Sequence, residues 1–183
     1  MSGPRIAKLP TRREFSPART RYSVGLLIVV YAFAFIDRNI VNVLLQPISV
    51  EFGLSDTQLG FFSGTAFGIF YATLGLPIAW VADRVARKRI ITAALAFWSA
   101  ATVLQGAATG FLSLAVTRIF VGVGEAGCSP PAHSMISDLH SPERRARALA
   151  VYAFGIPIGA ALGLLIGGWM REWFDWRDRK SVV

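Results

Sequence analysis

Four ionisable side chains interrupt stretches that are otherwise almost wholly apolar. Asp37 and Arg38 break the run 24–48, and Arg118 and Glu125 break the run 111–131. A charge at bilayer depth is costly. It is kept where it faces a bundle interior or a water-filled path, and there it usually marks passage of an ion or substrate. Long apolar runs with internal charge therefore restrict the chain to membrane-spanning helices that enclose a polar site.

Composition supports this restriction. Apolar residues make up 54% of 183 and charged residues 16%, against about 25% charged in soluble domains. The 17 glycines suit close helix packing in lipid. Five runs reach the roughly 20 residues that span hydrocarbon: about 24–46, 59–82, 90–109, 111–137 and 148–170. They are too long and unbroken for barrel strands of about 10 residues, and lipid requires internal backbone hydrogen bonding. The predicted fold class is an all-α integral membrane protein with five transmembrane helices. Its predicted segments are a basic leader (1–22), a helical bundle (23–170) and an atypical tail (171–183).

Basic residues set the expected orientation. Arg5, Lys8, Arg12, Arg13, Arg19 and Arg21 precede the first span. Arg84, Arg87, Lys88 and Arg89 follow the second, and Arg144, Arg145 and Arg147 follow the fourth. The loops 47–58 and around Gly110 carry no Lys or Arg. This asymmetry predicts a multi-pass protein of the plasma or inner membrane with a cytoplasmic N-terminus. It also accounts for the net charge of +8 without a nucleic-acid partner. The leader can rest on anionic lipid. It does not read as a cleavable signal, because the following apolar run is long, charged and without a small-residue cleavage pattern.

No metal or redox chemistry is indicated. Cys128 is the only cysteine, so no internal disulfide is available. His133 and His140 read as interfacial polar residues rather than proton carriers. No Ser-His-Asp spacing, metal cluster or phosphate-cradling glycine loop suggests an enzyme. No cofactor is expected beyond a proton as coupling ion.

Small residues recur every four positions. Gly60, Gly64, Gly68 and Ala72 mark the second span, and Gly155, Gly159, Gly163 and Gly167 the fifth. Such stripes let helix backbones approach closely, either as static packing or as a sliding contact. Pro157 removes a backbone donor within the fifth span and favours a kink there.

Arg118 and Glu125 are seven residues apart, so they share a helix face about 10 Å apart along the axis. Side chains lean toward the helix N-terminus, which points Arg118 away from Glu125. Each therefore needs a partner on another helix. Asp37 lies at a similar depth and can meet either across an internal cavity. Burial opposes ionisation of an acid there, and a nearby arginine favours it. That opposition suits a proton-coupling site, although a structural ion pair fixing helix register would also use these residues.

The segment Ala82-Asp83-Arg84-Val85-Ala86-Arg87-Lys88-Arg89 resembles the signature loop of the major facilitator superfamily, Gly-x-Leu-Ala-Asp-Arg-x-Gly-Arg-Arg. Asp83, Arg84, Arg87 and Lys88 match it, while Ala79 and Ala86 stand where the family has glycine. By resemblance, this set forms a cytoplasmic gating loop that latches two halves of a transporter. Arg118-Ile-Phe-Val-Gly122-Val-Gly124-Glu125-Ala126 with Pro130-Pro131, Asp37-Arg38, and Ile136-Ser137-Asp138-Leu139 before Arg144-Arg145 resemble the Spinster-like branch. The resemblance implies a proton-coupled secondary transporter of lipid-like or amphipathic solutes. It implies a coupling and substrate cavity at Asp37, Arg38, Arg118 and Glu125. The anion:cation symporter branch has a similar Arg-to-Gly-Glu stretch, which would imply organic anions instead.

Transporters of that superfamily have two six-helix halves, so five spans correspond to an incomplete N-terminal half. Trp176-Arg177 resembles the usual approach to a sixth helix, but the sequence from Asp178 onward does not. The tail also carries Arg171, Arg177, Arg179 and Lys180 on the expected outer side, against the orientation rule. A truncation or altered reading frame is therefore expected. The C-terminal half is then the expected missing partner, and the chain alone need not transport. The orientation is checked by cysteine labelling. Cysteines placed near Thr11 and Lys88 should be shielded from an external reagent, and those near Asp56 and Gly110 should react; external labelling at Lys88 would refute it.

Overall fold

The computed structural model describes residues 16–82 and 84–173, the last four by backbone alone. Every regular element among them is helical. Helix α1 runs Pro17–Phe52, and α2 runs Asp56–Ala82 with one π-helical turn at Phe61–Thr65. Helix α3 is Arg87–Gly106. Then follow α4 (Phe111–Ala126), α5 (Ser129–Leu139), α6 (Pro142–Ala153) and α7 (Gly155–Trp173). Helices α4 and α5 together make one rod, and so do α6 and α7.

These boundaries differ from the expected spans for local reasons. Residues 17–22, expected as leader, are the first turns of α1. Pro17 suits that position, because the first N–H groups of a helix have no internal partner. At the other end Gly53, at φ 59, returns its N–H to the Ser49 carbonyl and stops the helix. The expected fourth span is broken at residues 127–128, where Pro130 and Pro131 can only begin a new helix. The expected fifth span starts earlier, at Pro142, and bends at Phe154. Pro157 explains the bend. Its ring occupies the space of a bond to the carbonyl four residues back, and that residue, Ala153, ends α6.

Four rods are long and apolar enough to cross a membrane: Pro17–Phe52, Asp56–Ala82, Phe111–Leu139 and Pro142–Trp169. Helix α3 does not reach their apolarity. It begins in Arg87-Lys88-Arg89 and carries buried Thr102 and Gln105.

Packing follows the small residues. Helix α1 lies along α7, and α4 lies between α2 and α3. A Cβ added at Gly159 would sit 2.3 Å from the Ala32 carbonyl oxygen, and one at Gly163 would sit 2.9 Å from that of Ile36. Gly155 and Gly167 complete the contact against Ile28, Tyr31 and Val43. The matching stripe of α2 behaves differently. A Cβ at Gly60, Gly64 or Gly68 meets nothing within 4 Å among the described residues. The buried side chains of α2 are Phe62, Ala66, Phe67 and Ala82, so these glycines face away from this bundle. Glycines of the Phe111–Leu139 rod do the packing instead: Gly122 against Phe67, Gly124 against Trp98 and Gly127 against Ala94.

Two larger apolar layers and a small cluster of Phe67, Ala101 and Val121 result. Val24, Leu27, Ala34, Ile91, Trp98, Ala132, Ile136 and Tyr152 form one, toward the basic loops. Ile36, Ile40, Val41, Leu44, Ile48, Phe62 and Leu114 form the other, toward the opposite end. The charged residues lie between them. The packing difference yields a test. Gly163→Leu should cost about 1–3 kcal/mol through overpacking and lower the melting temperature in detergent, while Gly64→Leu should stay within about 0.5 kcal/mol. Equal melting temperatures would refute the asymmetry.

Candidate functional site

Asp37 and Arg38 are neighbours on α1, so their side chains leave the helix about 100° apart and meet different partners. The Asp37 carboxylate pairs with the Arg118 guanidinium of α4 at 3.5 Å and accepts a hydrogen bond of 3.4 Å from the Thr102 hydroxyl of α3. Arg38 donates through Nε to Glu125 Oε2 at 2.7 Å, with a second nitrogen at 2.5 Å. All four residues expected in the cavity are thus brought together as two crossed ion pairs between α1 and α4. Asp37, Arg118 and Glu125 are each at most 2% exposed, whereas the Arg38 side chain keeps 23%. Arg38 is therefore the member of the cluster least covered by the described residues.

The cations are also walled by aromatic rings. The Arg38 guanidinium lies 4.8 Å from the Phe35 ring, 4.6 Å from Phe67 and 4.9 Å from Tyr71. Arg118 lies 4.9 Å from the Phe67 ring as well. Such contacts replace part of the hydration that burial removes. Tyr71 hydrogen-bonds Ser129 at 3.2 Å, and Tyr31 stacks on Tyr152 at 4.5 Å. Tyr31, Arg38, Glu125, Ser129 and Tyr152 line one small enclosed cavity.

Some hydrogen-bonding capacity is left over. Arg118 Nε, Glu125 Oε1 and both side-chain polar atoms of Gln105 are buried without a hydrogen-bond partner among the described residues. Buried polar groups are costly when unmet, so these atoms mark where the cluster can accept a further polar group.

The basic end holds the second predicted set. Arg87 pairs with Asp138 at the end of α5, a carboxylate of this same bundle. Arg84 folds back on its own helix, donating to the Trp80 carbonyl at 3.0 Å and covering the Trp80 ring. Lys88 lines a cavity with Arg19 and Tyr22 of α1. Asp83 lies outside the described residues. His133 packs edge-on to Tyr152, and His140 meets the Ile136 carbonyl. Sequence reasoning missed Asp138 as the Arg87 partner, Thr102 beside Asp37, the buried Gln105 one turn further along α3, and the Phe67–Tyr71 wall. Thr102 and Gln105 carried a signal, two polar residues one turn apart in an apolar helix.

Comparison with known proteins agrees with this architecture. The model of the Major Facilitator Superfamily matches residues 27–177. The chain belongs to the major facilitator superfamily. It is 38% identical over 167 residues to an MFS-type efflux pump of Mycolicibacterium smegmatis, covering 91% of this chain and 39% of that protein. It is 33% identical to human protein spinster homolog 1, covering 88% of this chain and 31% of the relative. An Escherichia coli D-galactonate transporter is 30% identical, over 87% of this chain and 37% of its own. The fold matches a crystal structure of a bacterial homolog to the human lysosomal transporter Spinster, inward-facing and unoccupied, with TM-score 0.81 and 35% identity. That match covers 92% of this chain and 40% of the other. The resemblance to the Spinster-like branch is thus borne out, and the chain spans about two fifths or less of these proteins.

The ion pairs predict a stability pattern. Arg118→Met leaves the Asp37 carboxylate buried without its counter-charge and should cost about 3–5 kcal/mol, read as a fall in melting temperature. Arg118→Met with Asp37→Asn should recover much of that loss. Strictly additive losses would show that the two residues do not act as a pair.

Proposed function

We propose that the chain is the N-terminal part of a proton-coupled secondary transporter that moves a lipid-like or amphipathic organic solute by alternating access. The observation carrying this reading is the pair of crossed ion pairs, Asp37–Arg118 and Arg38–Glu125, buried between two apolar layers. A cluster that only fixed helix register would need one pair. Here a second pair shares the same helices, and unpaired capacity remains on Arg118 Nε and Glu125 Oε1.

The mechanism follows from charge. Protonating Glu125 removes the charge that holds Arg38, and Arg38 then turns toward solvent or an anionic group of the solute. Protonating Asp37 likewise frees Arg118. Substrate and proton thereby compete for the same cations. The Arg87–Asp138 pair, with Arg84, Lys88 and Asp83, gates the basic end, which we assign to the cytoplasm of a plasma or inner membrane. Similarity to an MFS-type efflux pump supports movement of a solute, and the Spinster-like resemblance of the sequence implies an amphipathic one. Similarity to the D-galactonate transporter supports the second reading, an organic anion held by Arg118.

The test uses the chain joined to the remaining length of such a transporter, in proteoliposomes. Asp37→Asn and Glu125→Gln should keep solute counterflow but lose uptake driven by a pH gradient, each by about a hundredfold or more, the low end for general acid–base groups. Unchanged pH-driven transport in both variants would refute proton coupling at this cluster.

A further inference from the structure

At the basic end, α1 and α6 do not close against each other. Between them lies a cavity of about 640 Å³, walled by Arg21, Gly25 and Ile28 of α1 and by Arg144, Arg147 and Val151 of α6. Both walls follow helical spacing, so each presents one continuous stripe. Each stripe is basic at its outer end and apolar deeper in. Arg21 and Ile28 are seven residues apart, about 10 Å along the axis.

The charges here are not spent on the protein. Arg21, Arg144 and Arg147 meet no carboxylate within ion-pair distance among the described residues. Their neighbour Arg145 is occupied differently, donating through Nε to the Ser137 carbonyl at 2.9 Å and so closing the end of α5. The apolar floor is open as well. Val151 is 43% exposed, and a Cβ at Gly25 would meet nothing within 4 Å.

We infer that this groove is a binding site for one anionic phospholipid, with the phosphate between Arg21, Arg144 and Arg147 and an acyl chain along Gly25, Ile28 and Val151. Basic pockets between transmembrane helices on one face of a membrane bind anionic headgroups. The depth and polarity gradient distinguish an amphiphile from a simple anion, which would have no use for the apolar floor. The leader is a poor occupant by charge, since Arg5, Lys8, Arg12 and Arg13 outnumber Glu14 there. A bound lipid would bridge the first rod and the amphipathic α6, next to the α1–α7 contact.

Native mass spectrometry on the full chain, solubilised after incubation with phosphatidylcholine vesicles containing phosphatidylglycerol, tests this. The chain should retain a single phosphatidylglycerol and no phosphatidylcholine. The triple variant Arg21→Gln, Arg144→Gln, Arg147→Gln should lose roughly a hundredfold in affinity. Gly25→Trp keeps every charge but fills the floor, and should lose the lipid too. Removing the same charge through Arg5→Gln, Arg12→Gln and Arg13→Gln should leave retention intact. Equal loss in that leader variant would reduce the effect to general surface charge and overturn the site. Undiminished retention in Gly25→Trp, or displacement by inorganic phosphate, would make it an anion site without a lipid.

Discussion

Two opposite-charge pairs held between apolar layers are the constraint around which the bundle is arranged. Neither pair would survive alone at that depth. Removing two charges from water costs several kcal/mol for each ion, and only close geometry with further polar partners offsets it. The structure supplies that geometry through α1 and α4, with Thr102 from α3 and the rings of Phe35, Phe67 and Tyr71 completing the shell. The register of α1 against α4 follows directly. A shift of one residue would exchange Asp37 for Arg38 opposite Arg118 and set like charges together.

The glycine contacts explain how the Phe111–Leu139 rod packs so closely against its neighbours. Gly122 and Gly124 let the backbone of α4 approach Phe67 on one side and Trp98 on the other. This approach seats α4 between α2 and α3, and from there the long side chains of Arg118 and Glu125 reach α1. Helix α7 performs the same service on the far side of α1. Helix α1 is thus bound by charge on one face and by backbone contact on another, the first directional and the second smooth.

Much of this was legible in the sequence, because membrane burial makes charge conspicuous. Asp37, Arg38, Arg118 and Glu125 stood out by being expensive, and the spacing of Arg118 and Glu125 already excluded their pairing within one helix. The assignment of partners was not legible. It depends on the rotation of α1, which two adjacent charges cannot reveal by themselves. The glycine stripes show the same limit. Spacing identified both, but only the one on α7 meets a helix among the described residues; that of α2 has the same period and no neighbour there. Periodicity reports that a face is small, and the neighbour is decided by the whole bundle. The break at residues 127–128 was blurred for a related reason, since Pro130 and Pro131 were read as residues inside a span rather than as the start of a new helix.

Helix α1 bears one member of each ion pair, so it is the element most directly coupled to a change at the cluster. Asp37 and Arg38 cannot exchange or release partners without a rotation or translation of the backbone that bears them, unless the partner itself is neutralised or moves. Along α7 that motion meets glycines and backbone, where a small displacement changes contacts gradually. Against α4 it meets discrete ion pairs, where the same displacement either keeps or loses a bond. A smooth contact beside a discrete one is the physical form of a two-state element. Under the proposed coupling, the energetic choice would be made at the charges, and the glycine face would supply the freedom to move. The aromatic wall sharpens that choice, because Phe67 touches both guanidinium groups and a shift of either cation alters the surroundings of the other.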